Sequence, residues 1–385
     1  MEQIINANYK KETKITDAAL SRSPNAVLVP GIDTLQIVYD LFTNIRNYDT
    51  LKQPVNLVFL HGSGMNRVIW EYYVARLAEM SDNSSWFVNK IITIDQVTHG
   101  DSSVLNREKL GVNFEWSDGA RDVCEVVQRE FLTNHITAST AGQVKPFNII
   151  IGHSMGGFQA LSSGVLYPYL FDLIITIEPV LITHDGGKVK GPTIMPVNFY
   201  NSLKAKMDDK FETLEDYHKT IDTNSFYTRV HPEIKQRFKE FEKVQDMEGK
   251  ITMKMEQRQN LICYLTLNPG AQWLLNGLSF IKAPVVNILG GVSKWCPKEN
   301  EETMNRRIPI YERDVIVGGD HLVNIEMPAE TLAKVIAHIT IFVDKSKRVL
   351  LHDISTNQRR TKFQQDFEAF TKARVKPINL QLSKL

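Results

Sequence analysis

The serine with the strongest chemical context in this sequence is Ser154, at the centre of a G-x-S-x-G pattern over residues 152 to 156. The apolar run FNIII precedes the pattern, and the helix-forming stretch GFQALSSGVL follows it. A sharp turn from strand to helix lifts the central serine above a sheet, and the flanking glycines let the backbones approach closely. The helix also directs the positive end of its dipole toward a developing oxyanion. The pattern therefore predicts a nucleophilic serine.

A second loop of small residues follows the apolar run VNLVFL and reads His61-Gly62-Ser63-Gly64. After such a strand, a tight loop can turn a backbone N–H toward a substrate carbonyl, and the residue after a nucleophilic serine supplies a second donor. The backbone N–H groups of Ser63 and Met155 are therefore the predicted oxyanion hole. A glycine-rich turn also occurs without any catalytic role, so the interpretation of Ser63 stays open.

An activated serine needs a general base, and His321 has the best setting among the ten histidines. It follows the predicted strand RDVIV and the turn Gly318-Gly319-Asp320, which places it in the loop after a late strand. The sequence therefore predicts His321 as the base. The alternative is an ordinary histidine of a surface loop.

Three further histidines, His61, His99 and His153, lie in neighbouring loops and raise the question of a metal centre. Their spacing has no i, i+4 pair on a helix, and their loops bring no cluster of carboxylates. Hydrogen bonding around the serine site explains them better. We therefore predict neither a bound metal nor a cofactor.

The elements that must position these residues follow a βαβ pattern. From about residue 34, short β-branched runs alternate with longer helix-forming stretches, which is typical of a mostly parallel sheet. Several of the predicted strands are apolar throughout, as strands covered on both faces require, and the seven lie at 35–42, 55–60, 90–94, 147–151, 173–177, 285–289 and 313–317. Charged, helix-forming sequence without a convincing strand predicts a helical insertion. The predicted organisation is a core of residues 30–182 and 281–345, an inserted helical cap of residues 183–280, and a C-terminal helix and tail of residues 346–385.

Composition limits the classes of partner. The chain has 385 residues, of which 43% are hydrophobic and 23% charged, as expected of a globular protein. Its net charge is +1 and it has no clustered basic run, so we predict no nucleic-acid partner. Three scattered cysteines, Cys124, Cys263 and Cys296, predict free thiols. No stretch reaches the roughly 18 to 20 apolar residues of a transmembrane helix, so any membrane contact would be peripheral.

The last three residues are Ser383-Lys384-Leu385, the import signal that a peroxisomal receptor reads at a free C-terminus. Upstream, three phenylalanines at helical spacing predict a helix over about 357 to 373. The final stretch VKPINLQLSKL has no periodicity and can hang free for a receptor. We therefore expect localisation in the peroxisomal matrix, with the import receptor as a partner.

Together the motifs resemble the α/β-hydrolase superfamily over about residues 30 to 345. The resemblance rests on four loops, which read H-G-S-G, I-D-Q-V-T-H-G-D-S, G-H-S-M-G-G and G-G-D-H-L. Joined to the S-K-L ending, the whole chain resembles the fungal peroxisomal lipases, which are serine α/β-hydrolases. This resemblance implies an α/β-hydrolase fold with a mostly parallel central sheet, helices on both faces and an inserted helical cap. It also implies hydrolysis of acyl esters, with acylglycerols as the expected substrates, and the chain order serine, acid, histidine.

The acid of the triad departs from the commonest pattern of the superfamily. Many relatives place an aspartate after the strand that corresponds to VVNIL, but here the loop over residues 290 to 296 has no carboxylate. Others, such as haloalkane dehalogenases, place the acid after the preceding strand, and LIITI is followed directly by Glu178. The resemblance therefore implies that Glu178 orients His321 and stabilises its imidazolium form.

Other interpretations of the acid stay open. Asp320 and Glu326 lie close to His321 in sequence, and Glu178 could instead cap the first helix of the insertion. Ser293, in the loop after VVNIL, is expected to matter little to activity.

Two other functions also stay open. An acyl-CoA thioesterase would use the same site and would want basic residues near its mouth, such as Lys188, Lys190 and Lys204. A peroxisomal lipid-binding or membrane-remodelling protein would keep the fold without turnover. Aromatic and methionine side chains of the insertion either line an acyl pocket or pack ordinarily, and these are Phe199, Tyr200, Met207, Phe226, Tyr227, Met253 and Met255.

Overall fold

The computed structural model describes residues 1–48, 51–80, 84–132, 144–181, 195–349 and 355–375. The chain forms two compact units, one of residues 1–133 and 146–347 and the other of residues 134–145 and 348–385. Lys188, Lys190 and the C-terminal Ser383-Lys384-Leu385 lie outside the described residues. All of the predicted catalytic residues lie in the first unit.

The first unit is built on a large eight-stranded sheet and also contains a small sheet of three short strands. In chain order the strands are β1 (Tyr9–Asp17), β2 (Gln36–Asn44), β3 (Gln53–Leu60), β4 (Trp86–Asp95), β5 (Phe147–His153), β6 (Leu173–Ile177), β7 (Lys210–Phe211), β8 (Lys243–Gln245), β9 (Ile251–Met253), β10 (Val285–Gly290) and β11 (Tyr311–Ile316). The large sheet has the order β1-β2-β4-β3-β5-β6-β10-β11. Strand β2 pairs antiparallel with β1 and β4, and the pairings from β4 to β11 are parallel. The prediction of a mostly parallel sheet is confirmed.

Helices accompany the strands throughout the chain. They are α1 (Glu2–Asn8), α2 (Glu71–Met80), α3 (Gly100–Asn106), α4 (Trp116–Val127), α5 (Met155–Leu166), α6 (Val197–Lys204), α7 (Leu214–Thr223), α8 (Pro232–Phe241), α9 (Gln257–Leu265), α10 (Leu267–Gly277), α11 (Lys298–Arg307), α12 (Val323–Glu326), α13 (Pro328–Lys345) and α14 (Thr356–Arg374). Along β3, Leu57 and Phe59 join one hydrophobic cluster, whereas Val58 and Leu60 join another. Because successive side chains of a strand point to opposite faces, both faces of the sheet are covered.

Each of the seven predicted strands is present, with ends that shift by up to four residues. Strand β1 lies ahead of the predicted start of the core at residue 30 and pairs with β2 over nine residues. Its sequence YKKETKITD alternates buried and exposed positions only weakly, because β1 is the edge of the sheet. An edge strand of this composition gives a weak periodic signal.

The insertion between β6 and β10 contains α6 to α10, as the helix-forming sequence predicts, and also a small antiparallel sheet of order β7-β9-β8. These three strands have only two or three residues each, which is too short for a recognisable alternation. The prediction of a helical insertion without a convincing strand is therefore wrong in this detail.

Ion pairs attach the insertion to loops at the carboxyl edge of the large sheet. Arg237 pairs with Glu71 after β3 at 2.5 Å, and Lys254 pairs with Asp101 after β4 at 2.6 Å. Backbone and side-chain hydrogen bonds add to these pairs, such as that from Ser103 Oγ to the carbonyl oxygen of Lys254 at 2.6 Å. The insertion is thus fixed over the edge at which the predicted catalytic loops end.

The second unit contains α14, which covers the predicted helix over 357 to 373. Ser355 and Gln358 form a capping box at its start. No helix among the described residues is long and apolar enough to cross a membrane.

Candidate active site

Ser154 lies at the turn between β5 and α5, in a backbone conformation with φ 54° and ψ −113°. Its N–H donates to the carbonyl oxygen of Ile177 at 3.0 Å, which ties the turn to the neighbouring strand. A Cβ at Gly152 would overlap the carbonyl oxygen of Gly156, and a Cβ at Gly156 would overlap that of Leu60. The glycines are therefore required by the close approach of three backbones, and the serine is held in a strained conformation.

The structure brings Ser154, His321 and Glu178 together in one chain of hydrogen bonds. His321 Nε2 lies 3.0 Å from Ser154 Oγ, and His321 Nδ1 lies 3.3 Å from Glu178 Oε2. Glu178 is 1% exposed, and Ser154 and His321 are each 8% exposed. The residues come from the turn after β5, the end of β6 and the loop after β11, which explains their distance in sequence.

Glu178 is held by the loop of residues 290 to 296, which follows β10 and contains no carboxylate. Its Oε1 accepts a hydrogen bond from the Gly290 N–H at 2.7 Å, and its Oε2 accepts one from Ser293 Oγ at 2.6 Å. Glu178 itself has φ 49°, an uncommon conformation for a residue other than glycine. The expectation that Ser293 matters little did not anticipate its contact with Glu178.

The alternative acids face other partners. Asp320 accepts a hydrogen bond from the backbone N–H of His321 at 2.8 Å and pairs with Arg229 at 2.8 Å. Glu326 pairs with Arg229 at 3.0 Å. Of these carboxylates, Glu178 is the one that reaches the imidazole ring of His321 within the described part of the chain.

The loop of residues 61–64 packs against the turn that carries Ser154. A Cβ at Gly62 would lie 3.2 Å from Ser154 Cβ, so the loop runs directly beside the serine. Within the described part of the chain, the N–H groups of Ser63 and Met155 donate no hydrogen bond, whereas the Gly64 N–H donates to His99 Nε2 at 3.2 Å. Two amides are thus available beside Ser154.

The three neighbouring histidines are buried and hold loops in place. His153 Nε2 lies 2.8 Å from the carbonyl oxygen of His321, and burial lowers the pKa of His153 to about 3. His61 Nδ1 lies 2.9 Å from the carbonyl oxygen of Gly62, and burial lowers the pKa of His61 to about 4. Burial also lowers the pKa of His99 well below its ordinary value. These contacts fix the backbone around the serine and the base.

Cys296 lies next to the acid and the base. One polar atom from each of Glu178, Cys296 and His321 lies within 4.8 Å of the other two, a spacing that a metal ion could bridge. The thiol instead donates to the carbonyl oxygens of Glu178 and Pro179, at 3.6 and 3.3 Å. Burial, with the charge of Glu178, raises the pKa of Cys296 well above its ordinary value, which favours the protonated thiol that donates these bonds. Hydrogen bonds therefore explain this cluster.

A cavity of about 530 Å³ lies over Ser154, between the insertion and the core. Most of its lining is apolar, and six of the seven predicted side chains contribute to it, namely Phe199, Met207, Phe226, Tyr227, Met253 and Met255. Tyr200 packs instead against a small cluster around Leu203 and Leu261. The sequence did not point to Trp295, whose ring stacks on that of His321 with centroids 5.1 Å apart, or to Glu242.

A mostly parallel sheet with a serine at a strand-to-helix turn and a histidine after the last strand defines a class of proteins. The chain belongs to the alpha/beta hydrolase family, whose sequence model matches residues 57–335. The resemblance drawn from the motifs is therefore confirmed.

Among individual proteins, the chain is homologous to the peroxisomal membrane protein LPX1 of Saccharomyces cerevisiae. The two are 39% identical over 377 residues, which are 94% of this chain and 95% of LPX1. The solved structure of the peroxisomal alpha-beta-hydrolase Lpx1 from Saccharomyces cerevisiae matches with a TM-score of 0.88 and 38% identity, covering 96% of this chain and 99% of that one. A type I acyl-CoA thioesterase of Penicillium brevicompactum is 26% identical over 150 residues, which are 39% of this chain and 32% of the thioesterase.

Proposed function

We propose that the protein is a serine hydrolase of carboxylic acyl esters. Ser154 is the nucleophile, His321 the general base and Glu178 the acid that orients His321, while the amides of Ser63 and Met155 bind the oxyanion. The observation that carries the proposal is the chain of contacts from Ser154 Oγ through His321 to Glu178, at 3.0 and 3.3 Å. This order of groups activates a serine in acyl transfer.

The reaction proceeds in two halves. His321 Nε2 takes the proton of Ser154 Oγ as this oxygen attacks the ester carbonyl, and the two amides stabilise the oxyanion. The proton then passes to the leaving alcohol as the acyl-enzyme forms. In the second half His321 takes a proton from water, the hydroxide attacks the acyl-enzyme, and Ser154 Oγ recovers a proton as the fatty acid leaves.

The cavity supports an acyl chain as the group that is transferred. Its volume of about 530 Å³ and its apolar lining suit a long hydrocarbon chain, which gains free energy from leaving water. Acylglycerols are the substrates that we propose.

A thioester is the second candidate substrate. The partial match to an acyl-CoA thioesterase favours it, as do Lys204 at the end of α6 and Lys206 in the cavity wall, which could meet phosphate groups. A comparison of kcat/KM for an acyl-CoA and for the p-nitrophenyl ester of the same acyl chain separates the two. We expect the ester to be preferred, and a preference for the thioester would reverse the assignment.

We also propose that the protein enters the peroxisomal matrix through Ser383-Lys384-Leu385 and its import receptor. The names given to the yeast relative and to its solved structure support a peroxisomal location. A fusion with a fluorescent protein at its N-terminus should colocalise with a peroxisomal marker and should lose this location when the three residues are deleted. Retention after the deletion would contradict import through this signal.

The catalytic proposal is tested with p-nitrophenyl esters from acetate to palmitate. Ser154→Ala should lower kcat by several orders of magnitude while acyl ligands still bind. Ser202→Ala, an exposed position in α6, is the matched control and should retain wild-type turnover. Equal turnover of the Ser154→Ala protein would refute the assignment. A wild-type protein that binds acyl ligands without any turnover would instead be a lipid-binding protein.

A further inference from the structure

The cavity contains one acidic side chain that the proposed mechanism does not use. Glu242 follows α8 in the insertion, is 2% exposed and lines the cavity. Met65, Tyr227 and Met255 also line this cavity, whose lining is mostly apolar. A carboxyl group in such surroundings is costly unless its oxygens and its proton have partners.

The hydrogen bonds of Glu242 leave part of its capacity unused. Asn66 Nδ2 donates to Oε2 at 2.6 Å, and the Met255 N–H donates to Oε1 at 3.0 Å. Both partners are donors, and within the described part of the chain the carboxyl group of Glu242 donates no hydrogen bond. A protonated carboxyl has an O–H that needs an acceptor, and an ionised one can accept about two more bonds.

A ligand of Glu242 near neutral pH must suit both its protonated and its ionised carboxyl group. Burial raises the pKa of Glu242 to about 7, and the charge of Asp95 acts in the same direction, while the Met255 amide, Asn66 and the Lys254 ammonium act against it. The phenol groups that interact with the carboxyl are those of Tyr217 and Tyr227. A ligand group that serves either form must both donate and accept a hydrogen bond.

A plain hydrocarbon chain cannot meet this requirement. It would exclude water from the cavity and leave the carboxyl with its two existing bonds alone. A hydroxyl group donates to a carboxylate and accepts from a protonated carboxyl, so it satisfies Glu242 in either form.

We propose that Glu242 forms a subsite for a hydroxyl group on the acyl chain, so that esters of hydroxylated fatty acids are preferred substrates. This inference rests on the proposed function, because it places the acyl chain of the substrate in the cavity. Glu242 is a specificity residue in this proposal and takes no part in bond making or breaking.

The test compares p-nitrophenyl esters of plain fatty acids with esters that carry one hydroxyl group, at each of several positions along a chain of equal length. We expect at least one position to raise kcat/KM about tenfold, the size of effect that one matched hydrogen bond has on binding. Glu242→Leu should abolish this preference. Glu242→Gln should retain it because an amide also donates and accepts, and Glu215→Leu, an exposed acid of α7, should leave it unchanged.

A methyl ether in place of the hydroxyl gives a second readout that does not need the leucine variant. An ether only accepts, so its advantage over the plain chain should decline as the pH rises and the carboxyl ionises. The ratio of kcat/KM for the ether ester to kcat/KM for the plain ester cancels the effects of pH on the triad. In Glu242→Gln the ratio should be independent of pH, and a constant ratio in the wild-type protein would overturn the inference.

Failure of the inference and failure of the proposed function give different results. If plain esters are hydrolysed through Ser154 but no hydroxyl position raises kcat/KM, the inference falls and the hydrolase stands. If no ester is hydrolysed, calorimetric titration of the protein with plain and hydroxylated fatty acids decides the role of Glu242. Tighter binding of a hydroxylated acid, lost in Glu242→Leu, would support the subsite, and equal dissociation constants would overturn it.

Discussion

Glu178→Gln is the substitution whose effect follows most closely from the structure. The Gly290 N–H donates to Oε1 of Glu178, so the oxygen of a glutamine amide must take that place. The NH₂ group then occupies the Oε2 position, 3.3 Å from His321 Nδ1, and donates to this nitrogen. His321 is thereby held in the tautomer with its proton on Nε2. That nitrogen faces Ser154 Oγ and can no longer accept the serine proton.

The expected loss is large. In serine proteases the corresponding exchange of acid for amide lowers kcat by about 10⁴-fold with the geometry intact, which corresponds to about 5 kcal/mol of transition-state stabilisation. The assay is kcat and KM for a p-nitrophenyl ester, with urea unfolding as a check that the fold is retained. We expect KM to change little, because Glu178 lies behind His321 and does not line the cavity.

A Glu178→Gln protein that folds normally and retains kcat within tenfold of the wild type would refute this reasoning. The acid would then have to be sought elsewhere, and Asp320→Asn and Glu326→Gln would be measured next. In our account both of these variants retain most of the activity, because their carboxylates pair with Arg229.

Three further predictions follow from contacts near the site. Ser293→Ala removes a hydrogen bond to the Glu178 carboxylate and should lower kcat about tenfold or more, since such bonds contribute about 1.5–3 kcal/mol; unchanged steady-state kinetics would show that Gly290 alone positions the acid. Gly156→Ala places a Cβ against the Leu60 carbonyl oxygen and should lower the free energy of unfolding by at least about 1–3 kcal/mol in urea titrations; an equally stable variant would contradict the close approach. Because the folded-state pKa of Glu242 is raised to about 7, its contribution to stability is fully present below pH 4.5 and is lost as the pH rises through 7. The unfolding free energy of the wild type relative to that of Glu242→Gln should thus fall from about pH 4.5 to about pH 7, by on the order of 3 kcal/mol, and a constant difference would argue against a titrating Glu242.

Much of the sheet could be predicted from the sequence because buried parallel strands are apolar throughout. LIITI gave the bounds of β6 directly, since Asp172 and Glu178 end the apolar run on both sides. The edge strand β1 gave no such signal, because its exposed positions are charged and its pairing with β2 is a long-range contact. The short strands β7 to β9 depend on the fold of the whole insertion and not on local periodicity.

The residues of the candidate site also differ in how far the sequence alone could predict them. Ser154 and His321 could be identified as candidates because glycines flank the serine at set spacing and precede the histidine, and because both loops follow recognisable strands. The place of Glu178 came from the resemblance to a family, and its contact with Ser293 required the packing of two strand ends against each other. Glu242 gave no signal, since a glutamate in a charged, helix-forming segment is ordinarily exposed, and its burial depends on how α8 meets the loop of Asn66.

The central claim is that Ser154 is an activated nucleophile, and labelling with a fluorophosphonate tests it most directly. The probe loses fluoride as a serine oxygen attacks phosphorus, and mass spectrometry of the digested protein locates the adduct. We predict a single adduct on the peptide that contains Ser154, absent from Ser154→Ala and formed far more slowly in Glu178→Gln. An adduct elsewhere, or none, would contradict the account.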